Sequence, residues 1–165
     1  MEDIKLKKLL LVIDLQNDFI NDNSRYVVEE IKKLVDSKKY DNIIFTKFIN
    51  DYESNWYKKL NYKGCLTQEG QDIPINTYKH LVIEKKIYSS LNDELIEYIN
   101  KNRIEEIHIC GIDTECCVLK TALDLFEKNY NIKVLKEYCA CTNGKEKHDN
   151  AINILTRCIG KSSII

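Results

Sequence analysis

Residues 110–124 read CGIDTECCVLKTALD, and this stretch decides the fold. The apolar run Glu106–Cys110 ends in Gly111, and a Thr and two adjacent cysteines then open a helical pattern. Within it Val118, Ala122, Leu125 and Phe126 form one stripe at helical spacing. Working outward, the same alternation recurs. Further strands are expected at Leu9–Ile13, Asn42–Phe48, Leu81–Glu84 and Ile132–Leu135, with a weak last one at Ser162–Ile165. Helices are expected over Val27–Ser37, Leu91–Asn102, Thr114–Asn129 and Lys147–Cys158. The strand runs are continuously apolar rather than alternating, as in strands covered on both faces. Together they predict a three-layer α/β/α, Rossmann-like domain spanning residues 1–165, with one mostly parallel sheet of five to six strands and helices on both faces.

Bulk composition narrows the function. The 165 residues carry Lys+Arg 25 against Asp+Glu 26, a net charge of −1, with no basic block interleaved with aromatics, so nucleic acid is disfavoured as a partner. The longest aliphatic run, Leu9–Ile13, is far short of the ~20 residues a membrane helix needs. MEDIKLKK leads straight into that run without a signal-peptide pattern, and a cytoplasmic protein is expected. The seven cysteines are odd in number and lack the Cys-x-x-Cys or His spacing of a zinc site, so most are expected to be small buried apolar residues.

The segment Asn50–Lys79 breaks the alternation. It is polar, contains Trp56, four tyrosines and the single proline, Pro74, and reads as an excursion. Such excursions are often binding loops or lids, and as often plain surface loops.

Open parallel sheets bind ligands beyond the carboxyl ends of their strands. Asp14, Lys85 and Gly111–Cys117 each follow a strand candidate and should gather at one edge. With Thr114 as the N-cap, Cys116 and Cys117 fall in the first turn, where the helix field favours a thiolate. The spacing alone does not separate the two cysteines. Asp14, at the mouth of a buried strand, is a candidate base with a raised pKa, or a cap for the following turn; Asp18 is a weaker base candidate. Lys85 would hold both anions, with Lys86 as the alternative, one of the two facing solvent. None of His80, His108 and His148 follows a strand, which disfavours a papain-like Cys–His pair. The five glycines form neither G-x-G-x-x-G nor a Walker loop.

These residues resemble the isochorismatase-like cysteine hydrolase superfamily, which includes nicotinamidases and carbamoyl-amide hydrolases. Its opening motif, aliphatic-Asp-x-Gln-x-x-Phe, is similar to residues Val12 to Phe19; Lys-x-x-Tyr-Ser is similar to Lys85 to Ser89; Gly-x-x-Thr-x-x-Cys-Val is similar to Gly111 to Val118. The resemblance selects Cys117 over Cys116 and Lys85 over Lys86. It implies an Asp14–Lys85–Cys117 triad, an oxyanion hole from the backbone N–H groups of Asp113 and Cys117 beside a cis peptide after Ile112, and substrate contacts from Gln16 and Phe19. It also implies a small-molecule substrate (an amide, ureido or carbamoyl compound cleaved through a thioester) and an assembly of identical subunits. Nicotinamidases of this superfamily place an Asp and two histidines after the second strand to hold a metal. Here Asp51 is followed by no histidine before His80, so a metal-free, cofactor-free enzyme is expected. The alternatives are an isochorismatase-type vinyl-ether hydrolase and a non-catalytic or redox-responsive thiol protein.

Overall fold

The computed structural model describes residues 6–165. Five strands, β1 (Lys8–Ile13), β2 (Asn42–Phe48), β3 (Leu81–Lys85), β4 (Glu106–Ile112) and β5 (Ile132–Ala140), form one parallel sheet in the order β3-β2-β1-β4-β5. Leu9 to Ile13 of β1 are completely buried, as expected for a central strand covered on both faces. The chain grows outward from β1 in one direction, then crosses over to β4 and grows in the other. The crevice where the order reverses lies at the carboxyl ends of β1 and β4, the place where such sheets take ligands.

Helices α1 (Tyr26–Asp36), α4 (Asp93–Asn102), α5 (Leu119–Glu127) and α6 (Lys145–Ile159) cover the sheet. Each buries residues at helical spacing: Val27, Ile31 and Leu34 in α1, Leu95 and Ile99 in α4, Ala151, Leu155 and Ile159 in α6. The Asn92 side chain caps α4 by accepting from the Leu95 amide, and Arg103 closes it in the left-handed conformation. The excursion after β2 folds into α2 (Asn55–Leu60), capped by Ser54, and α3 (Gln68–Gln71), capped by Thr67.

Several boundaries differ from expectation. Strand β4 continues two residues past Cys110 because Gly111 lets it. Gly111 has φ of +126°, and a Cβ there would lie 2.0 Å from the Ile13 carbonyl oxygen, so only glycine permits this approach of β4 to β1. The β4–β5 register shifts between Ile109 and Gly111, and β5 runs on to Ala140 beyond the shift. The expected last strand, Ser162–Ile165, is instead a 3₁₀ turn at Lys161–Ser163 with one parallel bridge from Ile164 to Val134. Gly160, at φ +89°, ends α6. Among the described residues no helix is long and apolar enough to cross a membrane.

Candidate active site

At the carboxyl edge of the sheet the three expected side chains meet. Asp14 leaves β1 with φ of +49°, a left-handed conformation that Asp tolerates better than most residues. Thr46 of β2 fixes it on both sides: the Asp14 amide donates to Thr46 Oγ1 at 3.2 Å, and that hydroxyl donates to Asp14 Oδ1 at 2.7 Å. Lys85, the last residue of β3, sends its ammonium beneath the Phe48 ring, 5.6 Å from the centroid. Its Nζ lies 2.6 Å from Asp14 Oδ2 and 3.5 Å from Cys117 Sγ, and donates to the carbonyls of Ile87 at 2.9 Å and Tyr88 at 3.1 Å. Asp14 is fully buried, and Lys85 and Cys117 are each only 6% exposed. Burial works against the Lys85 charge, but Asp14 and Cys117 together hold its pKa above the ordinary value.

The nucleophile segment corrects two expectations. Asp113, not Thr114, is the residue before the helix, and Thr114–Val118 form a single π-type turn that leads into α5. Thr114 cannot cap because its hydroxyl pairs with His148 Nδ1 at 2.8 Å. The Asp113 carbonyl accepts from the amides of Cys116 at 3.2 Å and Val118 at 3.1 Å, and the Cys117 amide falls between them. Second, Cys117 is not a ready thiolate. Burial, followed by the neighbouring Asp14 charge, pushes its pKa well above 9.0, and the opposing pull of Lys85 does not cancel this. Burial therefore favours the thiol form of Cys117, with the Asp14 carboxyl beside it. The peptide between Ile112 and Asp113 is cis.

A cavity of about 420 Å³ opens onto Cys117. Its walls are Phe19, Phe48, Trp56, Leu60, Tyr62 and Tyr88, with Asp18, Asp113, Thr142 and Asn143 among the polar groups lining it. Trp56 packs against Phe48 and Tyr88, with centroids at 5.3 and 5.1 Å. The segment 50–79 thus builds one wall of the site, through Trp56, Leu60 and Tyr62. Sequence reasoning did not single these residues out; the crowding of aromatic residues in an otherwise polar excursion was the available signal.

The remaining expected residues separate. Phe19 lines the cavity and stacks on Tyr62 at 5.9 Å. Gln16 does not line it. Its amide is fully buried, donating to the Phe48 carbonyl at 2.9 Å and the Gln71 carbonyl at 3.1 Å and accepting from the Phe48 amide at 2.7 Å. Gln16 therefore ties β1 to β2 and α3, and it reaches the substrate space only through them. Asp18 stands apart from the triad, with Oδ2 accepting from the Cys65 amide at 2.6 Å. Lys86 is solvent-facing and pairs with Asp51 at 3.3 Å. All seven cysteines are free thiols, and burial pushes Cys65, Cys116, Cys139 and Cys141 to about 12.

An isochorismatase domain model matches residues 8–162. The chain belongs to the isochorismatase family. Among family relatives, the PncA protein of Bacillus subtilis is 26% identical over 94% of this chain and 97% of its own, and isochorismatase family protein 2A of Dictyostelium discoideum is 26% identical over 83% and 68%. The crystal structure of nicotinamidase PncA from Bacillus subtilis superposes with a TM-score of 0.81 at 21% identity, covering 96% of this chain and 99% of that one. N-carbamoylsarcosine amidase from Thermoplasma acidophilum gives a TM-score of 0.82 at 20% identity, covering 94% of both chains. At these identities the structures establish a shared fold.

The metal expected of nicotinamidases does not fit the residues after β2. Asp51 is the carboxylate there, and it is drawn away by the Glu53 amide at 2.9 Å and by Lys86. His80 instead packs against the Phe45 ring at 5.8 Å. Asp113, Glu115 and Cys141 do converge within 4.8 Å. The Cys141 thiol donates to Glu115 Oε1 at 2.7 Å, Asp113 accepts from the Thr142 amide and hydroxyl at 2.6 and 3.0 Å, and Glu115 Oε2 is buried without a hydrogen-bond partner among the described residues.

Proposed function

We propose that this family member is a cysteine hydrolase of a small amide, ureido or carbamoyl compound, acting through a thioester on Cys117. The observation that carries this reading is the Lys85 ammonium, which touches Asp14 Oδ2 at 2.6 Å and Cys117 Sγ at 3.5 Å inside a buried site opening on a cavity. A buried ion pair beside a thiol is costly unless all its members have partners, and here each does.

In the first half-reaction Asp14 takes the thiol proton as sulfur attacks the carbonyl carbon. The new oxyanion is received by the backbone N–H groups of Asp113 and Cys117. Lys85 keeps its proton throughout and balances the charge that passes between Asp14 and sulfur. The C–N bond then breaks, and the departing nitrogen takes the proton from Asp14. Water attacks the thioester with Asp14 again as base, the C–S bond breaks, sulfur recovers the proton, and the acid leaves. Because burial holds Cys117 as a thiol, the base is indispensable rather than an accessory. Every step uses groups of this chain.

Ammonia release over a panel of small amides and ureides tests the reading, with Cys117→Ala as the blank. Turnover by the wild-type protein that disappears in this variant supports it. Release by Cys117→Ala at the wild-type rate would refute it.

A further inference from the structure

The cavity has an unusual electrical character for a site that must receive a substrate above an ammonium. Its lining includes the aromatic residues Phe19, Phe48, Trp56, Tyr62 and Tyr88, and the acidic side chains lining it are Asp18 and Asp113; no Lys, Arg or His is among the lining residues. Lys85 does not offset this. Its ammonium lies under Phe48 and is committed to Asp14, Cys117 and two carbonyls. Both lining carboxylates are also held in place. Asp18 receives the Cys65 amide at 2.6 Å and packs on Gly70 so closely that a Cβ there would come within 2.0 Å of it. Asp113 is clamped by Thr142.

A carboxylate entering this space would lose its hydration against aromatic rings and face two like charges without a counter-ion. A cation would meet a cluster of aromatic rings, to whose faces it is attracted, and two carboxylates. We infer that the cavity selects amides whose acyl part bears a positive charge, of the quaternary- or tertiary-ammonium type, with the ammonium among the aromatic rings and the amide over Cys117. This inference rests on the hydrolase reading for its choice of an amide, and it adds the charge of the molecule.

Matched primary amides separate the two ideas. (Trimethylammonio)acetamide and 3,3-dimethylbutanamide have the same shape and differ in one unit of charge; malonamate supplies the anion. Calorimetric titration of each into Cys117→Ala protein reads binding without turnover. The cation is expected to bind about ten-fold tighter than its neutral isostere, the advantage shrinking with added salt, and malonamate to show no saturable binding. Asp18→Asn is expected to lower affinity for the cation several-fold more than affinity for the neutral amide. Equal or tighter binding of 3,3-dimethylbutanamide, or failure of the cation to saturate in the millimolar range, would overturn the inference, whether or not Asp18→Asn folds. Ammonia release by the wild-type protein from the same amides is scored separately. Its absence would count against the hydrolase reading while leaving the charge preference in binding as measured.

Discussion

Lys85 is the residue on which the site turns, because one ammonium donates to Cys117 Sγ and two backbone carbonyls and forms an ion pair with the buried Asp14. Replacing it by Met leaves Asp14 charged and unpaired in the interior, with an expected cost of about 3–5 kcal/mol in urea unfolding together with loss of turnover. Cys117→Ala removes only a sulfur atom from a packed site, so turnover should vanish while the thermal midpoint moves by no more than a few degrees. Gln16 behaves differently from the substrate contact its motif position suggests. Its side-chain hydrogen bonds join β1, β2 and the excursion, so Gln16→Ala is expected to cost about 1–3 kcal/mol of stability. KM should change little where the variant remains folded. A large rise in KM with unchanged stability would return Gln16 to the substrate. At this scale Asp14 and the Lys85–Lys86 pair were legible because they follow apolar runs, and Cys116 and Cys117 because they open a helical stretch; the choice of Lys85 and of Cys117 came from the motif resemblance. The roles of Gln16 and Asp18 were not, because their partners, Phe48, Gln71 and Cys65, are 32 to 55 residues away.

Among the elements, the passage from β4 through Gly111 into the π turn positions Cys117. Gly111→Ala would force β4 away from the Ile13 carbonyl, and loss of soluble protein or destabilisation of about 3 kcal/mol or more is expected in denaturant titration. The strands could be read almost to the residue where their runs are continuously aliphatic, as in Leu9–Ile13. They could not where pairing replaces composition as the determinant. Strand β5 carries Lys136 and Glu137, yet continues to Ala140 because β4 continues beside it past the register shift. The π turn was hidden for a similar reason. Thr114 is a good capping residue in sequence, but α6 brings His148 against its hydroxyl, and Asp113 takes the place before the turn. Lysine and threonine patterns carry no trace of that contact.

For the molecule as a whole, two segments far apart in sequence, the 50–79 excursion and the turn after β5, close over a cavity whose floor is the sheet edge. The excursion's polar composition concealed that Trp56 and Tyr62 line the cavity, while Tyr52 and Tyr78 stay exposed. Stability should also depend on pH in a definite direction. Burial lowers His80, His108 and His148 below 6.5, so each contributes stability that is present above that value and lost as pH falls through the folded-state pKa. Asp113 acts oppositely: burial raises it from 3.8 to about 6, so its contribution is present below 3.8 and lost as pH rises through about 6. The histidine effect is therefore partly offset between about pH 4 and 6. Urea midpoints are expected to fall from pH 7.5 to 5.5, and a rise over that interval would contradict the burial of His108 between Tyr40 and Glu106.

The central claim is that Cys117, and not its neighbour Cys116, carries the acyl group. Acid quenching of the wild-type protein during turnover of an amide substrate, followed by peptide fragmentation, locates the adduct directly. The account predicts an acyl mass on Cys117 that is missing from Asp14→Asn protein. An acyl group on Cys116, or steady ammonia release with no covalent adduct on either cysteine under single-turnover quenching, would contradict it.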